Sequence, residues 1–318
     1  MEPHIIAAKE AIDSKFDVVH AHVSGLSSLG FSAAIAGARA GVPSVLTFHS
    51  MLDRTSVLLG ASDALFGWTR GIVLTAVSSV VAAQAARAMA GVSVGVLPQG
   101  IGAPFWRTVQ RAGPSLRSGR QKGASEVEIH FVSALESVRG ENAKSLVRAF
   151  ATAVRFVAGS PSMRLTIAGD ASGARSIVRV ATELGVGDRV NLTGQLSPLD
   201  RRTLYADADV FVLPGAREAF GLSALEARAS GLPVIAMLSS GARDFITPGL
   251  NGLLARDAAE MARFMSRLAV EDTLRRFIAN RNQTVAPPYD WPVVAEMHRA
   301  IYDAAAALRD APAPTSHA

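Results

Sequence analysis

The chain has 318 residues, enough for two domains, and its 49% apolar and 19% charged side chains describe a well-buried globular protein, not a disordered one. It has no cysteine, which excludes disulfides, thiolate nucleophiles and thiolate metal sites. The net charge of +5 is uneven: residues 109–126 carry four basic and one acidic side chain, against seven and six in 1–108 and 21 and 20 in 127–318. The excess therefore belongs to a connection and not to a nucleic-acid-binding face, although it leaves contact with anionic lipid open.

Pro3–Ser14 reads as a short helix without a signal-peptide pattern, and Phe16–His20 as a strand. A helix over about Leu26–Ala40, closed by Gly41 and Pro43, leads to a strand at Ser44–Phe48. Further helices at Ser56–Trp68 and Ser79–Ala90 alternate with strands at Ile72–Ala76 and Val94–Leu97. This alternation calls for a parallel sheet with helices on its faces. The charge-free run Gly71–Ala86 is too short to span a bilayer. The expected location is cytoplasmic, with a place at the inner face of the cell membrane left open. Residues 109–126, rich in Gly, Ser, Arg and Lys, read as a mobile linker.

A second alternating unit follows. Its strands are expected at Val127–Ser133, Met163–Ala168, Arg189–Thr193, Asp209–Leu213 and Pro233–Ala236. Helices near Ala143–Val157, Ala174–Leu184, Leu199–Ala206 and Gly221–Ser230 separate them. After the Gly249–Leu254 turn, Asp257–Val270, Asp272–Asn280 and Trp291–Leu308 are helical, and the Pro/Ala-rich tail 309–318 reads as disordered.

The densest stretch is Arg217–Val234. A strand ends at Leu213, turns at Pro214-Gly215, and opens a helix at Gly221 whose buried stripe would be Leu222, Leu225 and Ala229. Gly231 and Pro233 stop that helix. Backbone N–H groups around Ala219, Phe220, Gly221 and Leu222 would then meet an anion above the sheet, favoured by the helix dipole. Glu218 and Glu226 bracket the spot, and carboxylates that only accept hydrogen bonds suit sugar hydroxyls on either side of a diphosphate. The alternative for two glutamates is solvated surface charge.

Glu218-Ala-Phe-Gly, a second glutamate eight positions on, and Gly231-Leu-Pro-Val together resemble the signature of retaining glycosyltransferases of the GT-B fold, family 4. Asp17-Val-Val-His-Ala-His22, Gly41–His49, Thr75–Ser78, Leu97-Pro-Gln-Gly-Ile101, Gly169-Asp170 and Ala206–Pro214 follow the landmarks of that family in order. The resemblance implies an α/β protein of two facing Rossmann-like domains. The acceptor-side domain is 1–108 with the crossover helix 291–308, and the donor domain is 127–285. It implies sugar transfer from a nucleotide-sugar to an unidentified lipid, saccharide or small-molecule acceptor, with retention, without cofactor or metal, and with no nucleic-acid partner. Glu218 and His49 would contact the transferred sugar as catalytic residues, Glu226 the ribose, and Leu196 and Arg201 the base. His20 and His22 share a strand face, but with no third ligand evident they carry no metal site.

Two departures bear on activity. The family's opening strand, glycine-rich turn and helix have no counterpart before Pro3, so the first domain reads as truncated, with self-association through its uncovered sheet as a consequence. Where the family places two phosphate-binding cations, the chain has Ala134 and Arg139. Loss of one such contact costs about 1.5–3 kcal/mol. A nucleotide-sugar-binding homologue with little or no catalysis, or a sugar epimerase of the same fold, therefore stays open beside the transferase.

Overall fold

The computed structural model describes residues 16–25, 27–52, 55–89, 92–107, 128–137, 140–158 and 161–310. The expected helix Pro3–Ser14, the linker 109–126 and the tail beyond residue 310 lie outside them; Arg309 and Asp310, expected in that tail, are helical. The chain divides into two compact units, Met1–Gly100 with Trp291–Ala318, and Ile101–Asp290. Residues 101–107, expected with the first domain, group with the second. Ile101 N donates to Tyr289 O (3.0 Å), Ala103 N to Asp290 Oδ1 (3.0 Å), and Trp106 lies against Tyr205.

The first unit contains β1 (Val19–Val23), α1 (Ser28–Arg39), β2 (Ser44–Phe48), α2 (Thr55–Phe66), β3 (Ile72–Ala76), α3 (Ser79–Ala88) and β4 (Val94–Val96). The four strands form a parallel sheet in sequence order. β2 and β3, Ser-Val-Leu-Thr-Phe and Ile-Val-Leu-Thr-Ala, are almost wholly buried, as strands covered on both faces must be. β1 begins three residues later than expected. Phe16 and Asp17 are exposed, and full pairing with Ser44–Phe48 requires Val19–Val23. α1 packs closely on β1 and β2: a Cβ at Gly37 would lie 2.6 Å from Ser44 Oγ and 3.0 Å from Val19 Cγ2.

The second unit contains α4 (Ala103–Trp106), β5 (Glu128–Ser137), α5 (Glu141–Val157), β6 (Ser162–Asp170), α6 (Ala174–Glu183), β7 (Val190–Gly194) and α7 (Pro198–Ala206). It continues through β8 (Val210–Leu213), α8 (Leu222–Ala229), β9 (Val234–Met237), β10 (Gly252–Ala255), α9 (Ala258–Val270) and α10 (Asp272–Thr284). The chain closes with α11 (Trp291–Asp310), which returns to pack on β2 and β3 of the first unit. The second sheet is parallel in the order β10-β9-β8-β5-β6-β7. Strand order reverses between β5 and β8, and in open α/β sheets ligands bind beyond the carboxyl ends at such a point. The core is built on Phe131, Leu165, Ile167, Val210 and Val212, against Leu146, Val147 and Phe150, which recur on one face of α5.

β10 has no counterpart in the expected elements, which treated Gly249–Leu254 as a turn. Its four residues are too few to show a period, and only pairing with β9 makes it a strand. α5 ends on Ala158 in the left-handed region (φ 53°), a conformation that suits glycine. Ala158→Gly should stabilise the second unit by about 1 kcal/mol. The check is its calorimetric midpoint, which an unstrained Ala158 would leave unchanged or lower.

Candidate functional site

At the carboxyl end of β8 the backbone turns through Pro214 and Gly215 under tight constraint. Gly241 N donates to Glu218 O (2.8 Å), and Ser239 Oγ to Ala216 O (2.9 Å). Phe220 is buried against Phe245 and Tyr289, with ring centroids at 5.7 and 5.9 Å, and it anchors the turn. Gly221 then caps α8 in the left-handed region (φ 92°), where a Cβ would also press on Leu213 Cδ2 at 3.0 Å. Of the expected stripe, Leu225 and Ala229 are buried, whereas Leu222 is 37% exposed because it opens the helix at its free end.

Glu218 folds back over this terminus, and its Oε1 accepts from Gly221 N (3.2 Å). The carboxylate thus stands where an incoming anion would stand. The amides of Leu222 and Ser223 have no carbonyl to bond within the helix, as at any helix start, and Ala224 N is the first to find one, Gly221 O at 3.0 Å.

Glu226, one turn inside α8, is not a surface charge. Its side chain is 6% exposed, and Oε1 accepts from Arg201 Nη2 of α7 at 3.1 Å. Burial raises its pKa to about 7, against the pull of Arg201. Oε2 is buried without a hydrogen-bond partner, and so are Arg201 Nε and Tyr205 Oη. The Arg201 guanidinium lies 5.5 Å from the centre of the Trp106 ring, which in turn lies 5.8 Å from that of Tyr205. A buried acceptor beside unsatisfied donors, walled by two aromatic rings, is an arrangement prepared for a polyhydroxy ligand. Trp106 and Tyr205 were not anticipated. Their signal was an apolar residue beside a Gly-Ala-Pro turn and one on a helix, which sequence cannot tell from core.

Leu196 is half-buried in the loop between β7 and α7, near the start of the helix that carries Arg201. Ala134 does not follow β5 as expected but lies inside it, paired with Ala168 and 9% exposed, just before the strand's irregularity. Arg139 is outside the described residues.

In the first unit His49 follows β2 at its carboxyl end, its amide bonded to Val23 O (2.8 Å). Its Nε2 is 2.8 Å from His22 Nδ1, and its Nδ1 is 3.3 Å from Gln99 Nε2. His22 stacks on His20 at 4.2 Å between centroids. His20 bonds Thr47 Oγ1 (2.7 Å) and Tyr302 Oη (3.0 Å), and Thr47 bonds Thr75 (2.6 Å), tying α11 to the sheet through polar groups. Burial, then the charge of neighbouring histidines, lowers the pKa of His20 to about 3 and those of His22 and His49 below the usual value. His49 is thus neutral at pH 7 and can exchange hydrogen bonds with hydroxyls. Among the described residues no group of three His, Asp or Glu is arranged to hold a metal ion.

Residues 126–271 match the family described as glycosyl transferases group 1. D-inositol 3-phosphate glycosyltransferase of Nocardia farcinica is 29% identical over 310 residues, 91% of this chain and 67% of the relative. The lipopolysaccharide core biosynthesis glycosyltransferase LpsE of Rhizobium meliloti is 34% identical over 136 residues, 42% of this chain and 39% of the relative. The crystal structure of HepE from Anabaena in complex with UDP superposes with a TM-score of 0.73 at 19% identity, covering 95% of this chain and 82% of that one.

The two units should respond to pH in opposite senses. A histidine whose folded pKa lies below its unfolded value of about 6.5 loses stability as pH falls through 6.5, so acid weakens the first unit. Glu226, raised from 4.5 to about 7, loses stability as pH rises through that window, by at most about 3 kcal/mol, so base weakens the second unit. Calorimetry between pH 5 and 8 should show the two transitions shifting oppositely, with His20→Gln flattening the first and Glu226→Gln the second. Parallel shifts in both variants would contradict the assignment.

Proposed function

We propose that this chain, whose residues 126–271 match glycosyl transferases group 1 and whose fold is GT-B, moves a sugar from a nucleotide-sugar donor to an acceptor with retention and without a metal ion. The observation that carries this reading is the paired arrangement on α8: a glycine-capped helix start covered by Glu218, with Glu226 buried one turn inside and one oxygen unpartnered. A ribose would donate its hydroxyls to Glu226 Oε2. The diphosphate would take the Gly221 amide and the first turn of α8 as Glu218 swings off that amide to accept from the sugar. His49 is assigned to the hydroxyls of the same sugar, Leu196 and Arg201 to the base, and Arg139 to the phosphates. Stabilising the leaving diphosphate with fixed N–H groups and an arginine serves the task a divalent ion serves elsewhere. The leaving phosphate oxygen would take the acceptor's proton, so the acceptor-attack step needs no carboxylate base. The binding of UDP by HepE favours a uridine diphosphate sugar.

The second reading, a nucleotide-sugar binder with little turnover, is favoured by Ala134, buried where the resemblance implies a phosphate-binding arginine.

Glu226→Ala should weaken UDP binding by about ten- to a hundredfold in calorimetry, since it removes a charge-assisted contact. Glu218→Ala should leave UDP affinity within a few-fold and lower hydrolysis of the donor. Retention and metal independence are read from the product anomer by NMR and from activity in EDTA. UDP binding without turnover of any donor in a UDP- and GDP-sugar panel would favour the second reading, and no nucleotide binding at all would overturn both.

A further inference from the structure

Trp106 ends α4, a single helical turn, yet its indole is buried and its place is fixed. Ala103 N donates to Asp290 Oδ1 (3.0 Å) and Trp106 N to Gly102 O (3.4 Å). Phe105 meets the indole edge to face, with centroids 5.0 Å apart. α4 packs on α8, and the indole carries the Arg201 guanidinium over its face and Tyr205 beside it.

The Arg201–Glu226 pair beneath that ring is half made. Arginine meets a carboxylate most strongly through two parallel N–H···O bonds. Here Nη2 reaches Oε1 at 3.1 Å, while Arg201 Nε and Glu226 Oε2 are both buried without a partner. No competing charge accounts for the missing bond. Arg201 and Tyr205, both on α7, are the titratable groups coupled to Glu226, and α4, β8 and β9 bring none. Arg281 of α10 acts on Arg228 instead. What does hold the guanidinium is the indole, with the guanidinium carbon 5.5 Å from the ring centre, and turning to fork the carboxylate would give up that attraction.

We propose that Trp106 is a positioning residue of the nucleotide site: its ring holds Arg201 to one bond with Glu226, so that Oε2 stays open to the hydroxyls of a ribose. The inference rests on the reading of Glu226 as the ribose contact and adds what keeps that contact available. Without the ring, the guanidinium closes on both carboxylate oxygens. The pair is then complete by itself, the ionised glutamate is better met, and the ligand finds no free acceptor. Loss of packing alone would not act through Arg201.

The test is a double-mutant cycle on the full chain. Trp106→Leu keeps an apolar side chain without a ring face, and Arg201→Lys supplies an ammonium that cannot fork. UDP affinity is measured by calorimetry, and the Glu226 carboxyl is titrated by carbon NMR. Trp106→Leu should weaken UDP binding by about tenfold and draw the Glu226 pKa down from about 7 toward its ordinary 4.5. In the Arg201→Lys background the same change should cost less than about twofold and leave the pKa in place. Trp106→Phe keeps a ring face and should restore both values. If Trp106→Leu does not melt cooperatively, Trp106→Met, whose flexible side chain fills irregular space, takes its place in the cycle. Affinity losses that add across the cycle, or a Glu226 pKa that Trp106→Leu raises or leaves unchanged, overturn the proposal. A wild type that binds no UDP removes the ribose reading, and the titration then decides alone. A pKa lowered only while Arg201 is present upholds the hold of Trp106 on that arginine, and any other response overturns it.

Discussion

A backbone crossing sets the geometry of the second unit's site. The chain returning from β9 passes so close to the Glu218–Gly221 turn that a Cβ at Gly241 would lie 2.1 Å from Ala219 O and 2.7 Å from Phe220 Cα. Only a glycine fits there, and its amide donates to Glu218 O at 2.8 Å. With Phe220 anchored in the core and Gly221 held at positive φ, the turn has little freedom, and α8 must start at Leu222. The mobile part of Glu218 is then its side chain alone. A ligand can compete for the amide it covers without moving the backbone, which is how a preorganised anion site avoids an entropy cost on binding.

The same rigidity explains why Glu226 tolerates burial. A carboxylate in that position is costly, and Arg201 offsets part of the cost through one oxygen only. Leaving Oε2, Arg201 Nε and Tyr205 Oη unsatisfied is a local loss of stability that packing alone would not select. Stored polar capacity of this kind makes sense where a ligand completes it. The histidines of the first unit follow a different logic. Each bonds a neighbouring hydroxyl or ring, and partial burial with the nearby rings favours the neutral form.

Where side-chain identity and spacing carried the information, the sequence was readable. The Glu218–Glu226 spacing, Gly231 and Pro233 placed α8 to within a residue, because an anion-binding helix start and a glycine–proline stop have few alternatives. The alternation of apolar runs located nine of the ten described strands, β1 with an offset. What was hidden depends on contacts between distant residues. Burial of Glu226 comes from Arg201, 25 positions earlier, and the bond between His22 and His49 spans 27 positions. Trp106 joins the second unit through partners about 100 positions away, and β10 exists only through β9. No local period encodes such pairings.

The opposite proton preferences of the two units follow from these pairings and not from overall composition. Acid charges a histidine group with no carboxylate among the neighbours that shift it, whereas base charges a glutamate with one arginine to meet it. Each folded unit holds its buried group uncharged, so the first is most stable above the unfolded histidine value near 6.5 and the second below the unfolded glutamate value of 4.5, and near pH 7 the second has lost most of what a neutral Glu226 contributes. At that pH Glu226 is poised between neutral and ionised forms. A ribose that donates hydrogen bonds to Oε2 favours the ionised form and draws the pKa back down. Nucleotide binding should therefore release a fraction of a proton near pH 7, from the second unit alone.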